Sequence, residues 1–125
     1  MKILLATFLL TLSASLALAA DVQTRCGWIH NPTPANWNLI DREGVWVIGV
    51  QGGRQAEGDV PEFPEDRDHW VKTNGNYGYG CACLKGKVDR KERAVLTIQS
   101  ARVLPLAKCR ADKSLPQGPN LFCVE

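Results

Sequence analysis

The five cysteines constrain this chain most, because every one of them follows an N-terminal segment with the pattern of a secretory signal peptide. That segment, residues 1–19, has Lys2 near its start, an apolar run over residues 3–16 and a small-residue motif that ends at Ala19. This order of basic, apolar and small residues predicts cleavage after Ala19. The run is short for a membrane span. We therefore expect a periplasmic or secreted protein with no membrane anchor in its mature chain.

Export makes disulfide bonds available, and a chain of this size gains stability from them. We expect two bridges, in any of three connectivities, among four cysteines: Cys26, Cys81, Cys83 and Cys109. Cys123 is the odd cysteine and lies in residues 113–125, which we expect to form a loosely held C-terminal tail. We expect a monomer, and a dimer through Cys123 stays open.

Strand patterns recur along residues 20–112, which are expected to form one domain. Five segments alternate in hydropathy or are rich in β-branched and aromatic residues: 24–30, 37–41, 45–50, 79–88 and 93–104. Gly44 suits the left-handed position of a hairpin loop between the second and third segments. Helix signals are weak, because proline and glycine interrupt most windows. The sequence thus predicts an all-β or mainly β fold, a small antiparallel barrel or strongly twisted sheet stapled by disulfides.

Four finer expectations follow from the strand pattern and the local composition. A strand period of two places Cys81 and Cys83 on the same face. Val103 is out of phase with the apolar residues before it, which predicts a bulge or bend near Ser100–Arg102. Residues 69–73 fit either a short strand or one helical turn, and residues 51–68 have the composition of a surface loop.

No constellation of side chains indicates catalysis. The two histidines, His30 and His69, lie outside any nucleophile-elbow motif, and the carboxylates crowd into one loop. The single residue between Cys81 and Cys83 is shorter than the usual spacing of a zinc pair, and an oxidising compartment favours disulfides. We therefore expect no enzyme activity, no metal site and no cofactor.

Charge is nearly balanced overall, with a formal net charge of +2, which argues against a nucleic-acid partner. It is unevenly distributed, since acidic residues concentrate in 57–68 and basic residues in 85–93. These segments are interpreted either as solvated loops or as a dipolar surface that orients a protein partner.

Aromatic residues on rigid loops are the best candidates for binding. Tryptophan and tyrosine anchor many interfaces, although in a small domain the same rings can instead fill the core. The candidate binding residues flank a proline-bearing loop or lie in a glycine-rich one: Trp28, Asn31, Pro32, Trp37, Asn76, Tyr77 and Tyr79.

The blocks RCGW, NPTP, QGG and NGNYGYGCACL lie between residues 24 and 89, and LPLAKCRAD follows at 104–112. Together they resemble a bacterial exported family called domain of unknown function 4087, and the resemblance covers residues 24–112. It implies an exported domain stapled through the same four cysteines and supplies no activity or catalytic residue.

These patterns lead to one main hypothesis and two alternatives. The main hypothesis is a small exported binding domain, of the inhibitor or immunity type, directed against a hydrolase. The alternatives are an envelope-associated structural or interaction protein and, less favoured, a metal-binding or redox protein.

Overall fold

A computed structural model describes residues 21–117 of the chain. The expected leader, residues 1–19, and Cys123 lie outside the described residues. The described elements are seven strands and one short helix: β1 Asp21–Thr33, β2 Asn36–Asp41, β3 Gly44–Gly49, β4 Trp70–Asn74, β5 Tyr77–Asp89, β6 Ala94–Val95, β7 Ser100–Leu104 and α1 Leu106–Ala111.

Five of these strands close into a barrel. The order around it is β1-β2-β3-β6-β5, and β5 pairs back onto β1 to complete the ring. All neighbours are antiparallel except β3 and β6, which pair in parallel where Val47 lies opposite Ala94. The mainly β prediction is confirmed, and of its two variants the barrel is the one that forms.

Strand β5 organises the rest of the sheet. One of its edges pairs with β1 from Gly78 to Val88. The other edge is shared in turn by β4, β7 and β6. The segment 93–104, expected to be one strand with a bend near Ser100–Arg102, is therefore two strands, β6 and β7. Residues 96–99 separate them, and the pairing register with β5 shifts across these residues.

Alternation along the strands builds two apolar clusters. The barrel interior contains Ile29, Leu39, Trp46, Ile48, Ala82, Leu84, Val88, Val95 and Ile98. The outer face under α1 contains Trp28, Ile40, Cys81, Leu106, Cys109 and Leu115. Neighbours such as Trp28 and Ile29 therefore face opposite sides. Cys81 and Cys83 line one small cavity with Leu115 on this outer face, as the strand period predicted.

Two disulfides staple this outer face. Cys26–Cys83 joins directly opposed positions of β1 and β5, with a Cα–Cα distance of 4.0 Å. Cys81–Cys109 joins β5 to α1, with a Cα–Cα distance of 5.9 Å. The prediction that these four cysteines pair is confirmed. Helix α1 was not predicted, because six residues after Pro105 are too few to show a helical period.

The start of the C-terminal segment is held against the domain. Leu115 is buried, the Trp28 indole Nε1 donates to the Pro116 carbonyl at 3.0 Å, and Gln117 Nε2 donates to the Cys109 carbonyl at 2.7 Å. Residues 113–117, expected to be loosely held, are instead anchored because they cover the outer cluster. The remainder of the expected tail lies outside the described residues.

Candidate functional site

A groove of about 900 Å³ lies between the 55–65 segment and strand β4. Three partly buried aromatic side chains line it: Trp37 from β2, Phe63 from the connecting segment and Trp70 from β4. The rings of Phe63 and Trp70 lie 4.8 Å apart between centroids and are tilted by 40°. Trp37 and Phe63 also pack against the barrel core. The aromatic surface of the groove is thus continuous with the rigid interior.

The position of Phe63 depends on a glycine in β5. A Cβ at Gly80 would lie 2.4 Å from Cε1 of the Phe63 ring and 2.8 Å from the His69 carbonyl oxygen. Real Cβ atoms do not approach other heavy atoms this closely, so only glycine lets the ring and the connecting chain lie on the strand here. The glycine immediately before Cys81 therefore shapes the groove.

The segment that forms one wall of the groove is fixed at its first end by backbone pairing. Gln55 forms an isolated bridge with Gly49, and Glu57 forms one with Thr97. The Glu57 amide donates to the Leu96 carbonyl at 3.0 Å, and the Ile98 amide donates to the Glu57 carbonyl at 2.7 Å. A wall held in this way needs little ordering when a ligand binds.

The other end of this segment is a turn organised by Asp66. Its carboxylate accepts the Asp68 amide at 3.0 Å and lies 2.8 Å from Nδ1 of His69, and its carbonyl accepts the Trp70 amide at 3.1 Å. The hydrogen bond with His69 is the largest cause that lowers the pKa of the Asp66 carboxyl. This turn places Trp70 at the start of β4.

Amide side chains fix the opposite side of the groove. Asn31 is buried and donates to the carbonyls of Thr33 and Asn36, at 2.9 Å and 2.8 Å. Gln55 donates to the carbonyls of Ala35 and Val50, at 2.8 Å and 2.9 Å. These two amides hold the turn that carries Trp37.

Charged side chains occupy the exposed parts of the lining. Three carboxylates, Asp59, Glu62 and Glu65, are exposed there together with one cation, Lys72. Among residues 21–117, none of these four side chains is in an ion pair or a side-chain hydrogen bond. The groove therefore combines an apolar aromatic interior with a net negative rim.

The structure brings only part of the sequence-derived candidate set to this groove. Trp37, Asn31 and Asn76 line it. The Trp70 indole also donates to the Asn76 carbonyl at 3.1 Å, which ties the β4–β5 turn to the aromatic floor. Asn31 acts within the frame, since its buried amide is engaged by the chain itself.

The other candidates lie elsewhere. Trp28 is 1 % exposed and belongs to the outer cluster, which is the core-filling role that the sequence left open for these rings. Tyr79 packs edge-on against Trp28, with 5.4 Å between ring centroids and an interplanar angle of 89°. Pro32 and Tyr77 are partly buried and do not line the groove.

Sequence reasoning missed most of the aromatic floor. Phe63 and Trp70 were not selected because they stand in or beside an acidic, proline-containing segment with no strand alternation. One signal was available: Gly80 lies inside the predicted strand 79–88, and glycine inside a strand often marks close approach of another part of the chain.

Residues 21–117 contain no cluster of three or more His, Cys, Asp or Glu side chains that could hold a metal ion. No helix among them is long and apolar enough to cross a membrane.

Comparison with known protein families identifies a match. A family described as "Protein of unknown function (DUF4087)" matches residues 20–116. No curated protein and no solved structure matches the chain.

Proposed function

The chain belongs to the DUF4087 family of proteins of unknown function, and we propose that it is a small exported binding domain that engages a protein partner through the groove. The partner class we propose is a hydrolase, which places the domain among inhibitor or immunity-type proteins. This proposal depends on one observation above all, the aromatic floor of Trp37, Phe63 and Trp70 on a fixed frame.

The distribution of residue types in the groove supports a protein partner. Protein interfaces concentrate energy in aromatic anchors near their centre and place charged residues at the rim. Here the partly buried rings of Phe63 and Trp70 lie inside, and exposed carboxylates such as Glu62 surround them. Backbone bridges hold the first end of the 55–65 segment and the Asp66 turn follows its other end, which limits the conformational entropy lost on binding.

The stapled barrel suits an inhibitor in particular. An inhibitor acts by remaining folded while it occupies its target, and two disulfides join β5 to β1 and to α1. One fold can carry unrelated functions, so the barrel alone does not select a partner. The support specific to this chain is the groove.

Inhibition of a purified lysozyme, as a representative cell-wall hydrolase, tests the proposal directly. We expect the mature domain to inhibit at micromolar concentration and Trp70→Ala to weaken inhibition by about tenfold or more, as loss of an aromatic anchor does. Tyr77→Ala is the matched control, since this ring is also partly buried but does not line the groove. Unfolding curves of both variants verify that they are folded.

Two results would contradict the proposal. One is no inhibition of lysozyme together with no hydrolase recovered by the immobilised domain from envelope extracts. The other is equal loss of inhibition in Trp70→Ala and Tyr77→Ala, which would place the contact away from the groove.

A further inference from the structure

We propose that the groove recognises a basic segment of its partner, with a lysine or arginine side chain seated between the aromatic floor and the carboxylate rim. This inference rests on the proposed function for the location of the contact and adds the chemistry of the ligand.

Charge is the first argument. Asp59, Glu62 and Glu65 place three carboxylates on the groove against the single cation of Lys72. Elsewhere in the described chain, carboxylates such as Asp41 and Asp66 are paired with Arg25 and His69. The groove carboxylates have no such partner among residues 21–117, so their field is directed to whatever enters the groove. A cationic ligand is attracted by this field, and an anionic one is repelled.

The aromatic rings are the second argument. The face of a tryptophan or phenylalanine ring attracts a cation, and arginine in particular stacks on such faces. The chain uses this contact in its own fold, because the guanidinium groups of Arg25 and Arg93 lie 3.8 Å and 4.5 Å from the centre of the Trp46 ring. In the groove, Phe63 and Trp70 present ring surface without a cation of the described chain over either ring.

Taken together, the two features favour a cation over other ligands. A neutral sugar stacks on aromatic rings and can donate hydroxyl hydrogen bonds to carboxylates, but it carries no charge to offset three of them. A hydrophobic segment gains from the rings but must desolvate the rim. A lysine or arginine side chain uses both, since its apolar stem lies along the rings while its charged head stays at the rim. The volume of about 900 Å³ leaves space for residues on either side of it.

Titration with short capped peptides tests this. The probes are a pentapeptide with two arginines separated by glycine, the same peptide with neutral citrulline at both positions, and the same with glutamate. Tryptophan fluorescence and calorimetry report binding to the mature domain. We expect the arginine peptide to bind about tenfold or more tightly than the citrulline peptide, and the glutamate peptide to bind least. Binding of the arginine peptide should weaken as salt is raised.

A matched pair of variants assigns the effect to the groove. The triple variant Asp59→Asn, Glu62→Gln, Glu65→Gln removes the rim charges. The control Asp21→Asn, Glu43→Gln, Glu92→Gln makes the same change in net charge at exposed positions that neither line the groove nor lie in its wall. We expect the first to lose about tenfold or more in affinity for the arginine peptide and the second to change by less than about twofold.

The outcomes separate this inference from the proposed function. Three results would contradict recognition of a cationic side chain. They are equal binding of the arginine and citrulline peptides, preferential binding of a neutral cell-wall oligosaccharide, and equal effects of the two triple variants. Salt-sensitive self-association through the basic 85–93 hairpin would show that the basic segment comes from a second copy of this chain and not from a different protein. Charge-selective peptide binding without inhibition of any hydrolase would instead support the cationic ligand and contradict the inhibitor role.

Discussion

The ring of Phe63 lies directly against the backbone of Gly80, close enough that a Cβ at this glycine would lie 2.4 Å from Cε1 of the ring. This contact connects the glycine-rich run before the two cysteines of β5 to the aromatic floor of the groove. It also brings the His69 carbonyl within 2.8 Å of the same point. The strand, the connecting segment and the start of β4 therefore converge at a position that has no room for a side chain.

Gly80→Ala is accordingly expected to destabilise the domain by about 1–3 kcal/mol, the usual cost of overpacking. Phe63 or the backbone at His69 must move to admit the methyl group, so the fluorescence of Trp70 should change as well. Urea unfolding and tryptophan emission spectra measure both effects. Gly53→Ala is the control, because its nearest neighbour would lie at an ordinary 3.5 Å. Equal stability of the two variants would show that the contact does not constrain the groove.

A buried ion pair at one end of the barrel provides a second prediction. Asp41 accepts from Arg25 Nη1 at 2.8 Å, from the Glu43 amide at 2.8 Å and from the Trp46 indole at 3.1 Å. Asp41 and Arg25 are both largely buried, and Arg25 Nε has no partner among the described residues. Removing the carboxylate charge therefore leaves this buried guanidinium with only the more exposed Glu43 carboxylate and the Trp46 ring as partners for its charge.

Asp41→Asn should cost about 3–5 kcal/mol in urea unfolding, as expected when one partner of a buried pair is removed. Glu43→Gln serves as its control, because Glu43 pairs with the same guanidinium at 2.9 Å but is 36 % exposed. An exposed pair contributes about 0–1 kcal/mol. If both variants lost the same stability, the burial argument would be wrong.

The two disulfides should differ in their reaction with external thiols. Cys26 is exposed, whereas Cys81 and Cys109 are 1 % and 2 % exposed. Attack on a disulfide requires access to a sulfur atom, so a mild reductant should open Cys26–Cys83 first and leave Cys81–Cys109 intact in the folded domain. Timed reduction, alkylation and mass spectrometry measure the order. Opening of Cys81–Cys109 first, or of both at one rate without denaturant, would contradict this order.

The sequence predicts those elements of the fold that nearby residues determine, and it misses those that long-range pairing determines. Strands β2 and β3 were predicted because segments rich in apolar, β-branched and aromatic residues lie on both sides of a turn where Gly44 has a φ of 113°. The division of 93–104 into two strands depends on how each part pairs along the edge of β5. That pairing is set by the assembled barrel and not by the local sequence. Helix α1 has only six residues, which are too few to show a helical period, and the Cys81–Cys109 disulfide holds it against β5.

The same distinction applies to the candidate site. Trp37 was selected because it follows a proline-bearing loop, and it does line the groove. Trp28 has the same local surroundings, but its indole finds a carbonyl 88 residues away and the ring is buried. The position of Phe63 depends on Gly80, which lies far away in the sequence, in strand β5. The sequence thus identifies aromatic residues beside loops, and long-range contacts decide which of them face solvent.

Stability should also depend on pH through His30. Burial lowers the pKa of this imidazole below its ordinary value of 6.5, so the folded state favours the neutral ring. Below pH 6.5 the unfolded chain binds a proton that the folded chain resists, and the free energy of unfolding falls until the pH passes the lowered folded-state pKa. His30→Gln should flatten the part of the pH profile that begins near 6.5 and extends downwards. Urea unfolding at several pH values measures it, and an unchanged slope in the variant would contradict the assignment.

The held position of residues 113–117 leads to the last prediction. Leu115 is 6 % exposed and packs in the outer cluster with Trp28 and Cys109, so Leu115→Ala removes buried methyl groups from under the disulfide-linked helix. We expect a loss of about 2–4 kcal/mol in urea unfolding, within the range for buried leucine truncations. Lys113→Ala, at an exposed position in the same segment, should change stability by less than about 0.5 kcal/mol. Similar small losses in both variants would mean that this segment contributes nothing to the fold and is as loosely held as the sequence suggested.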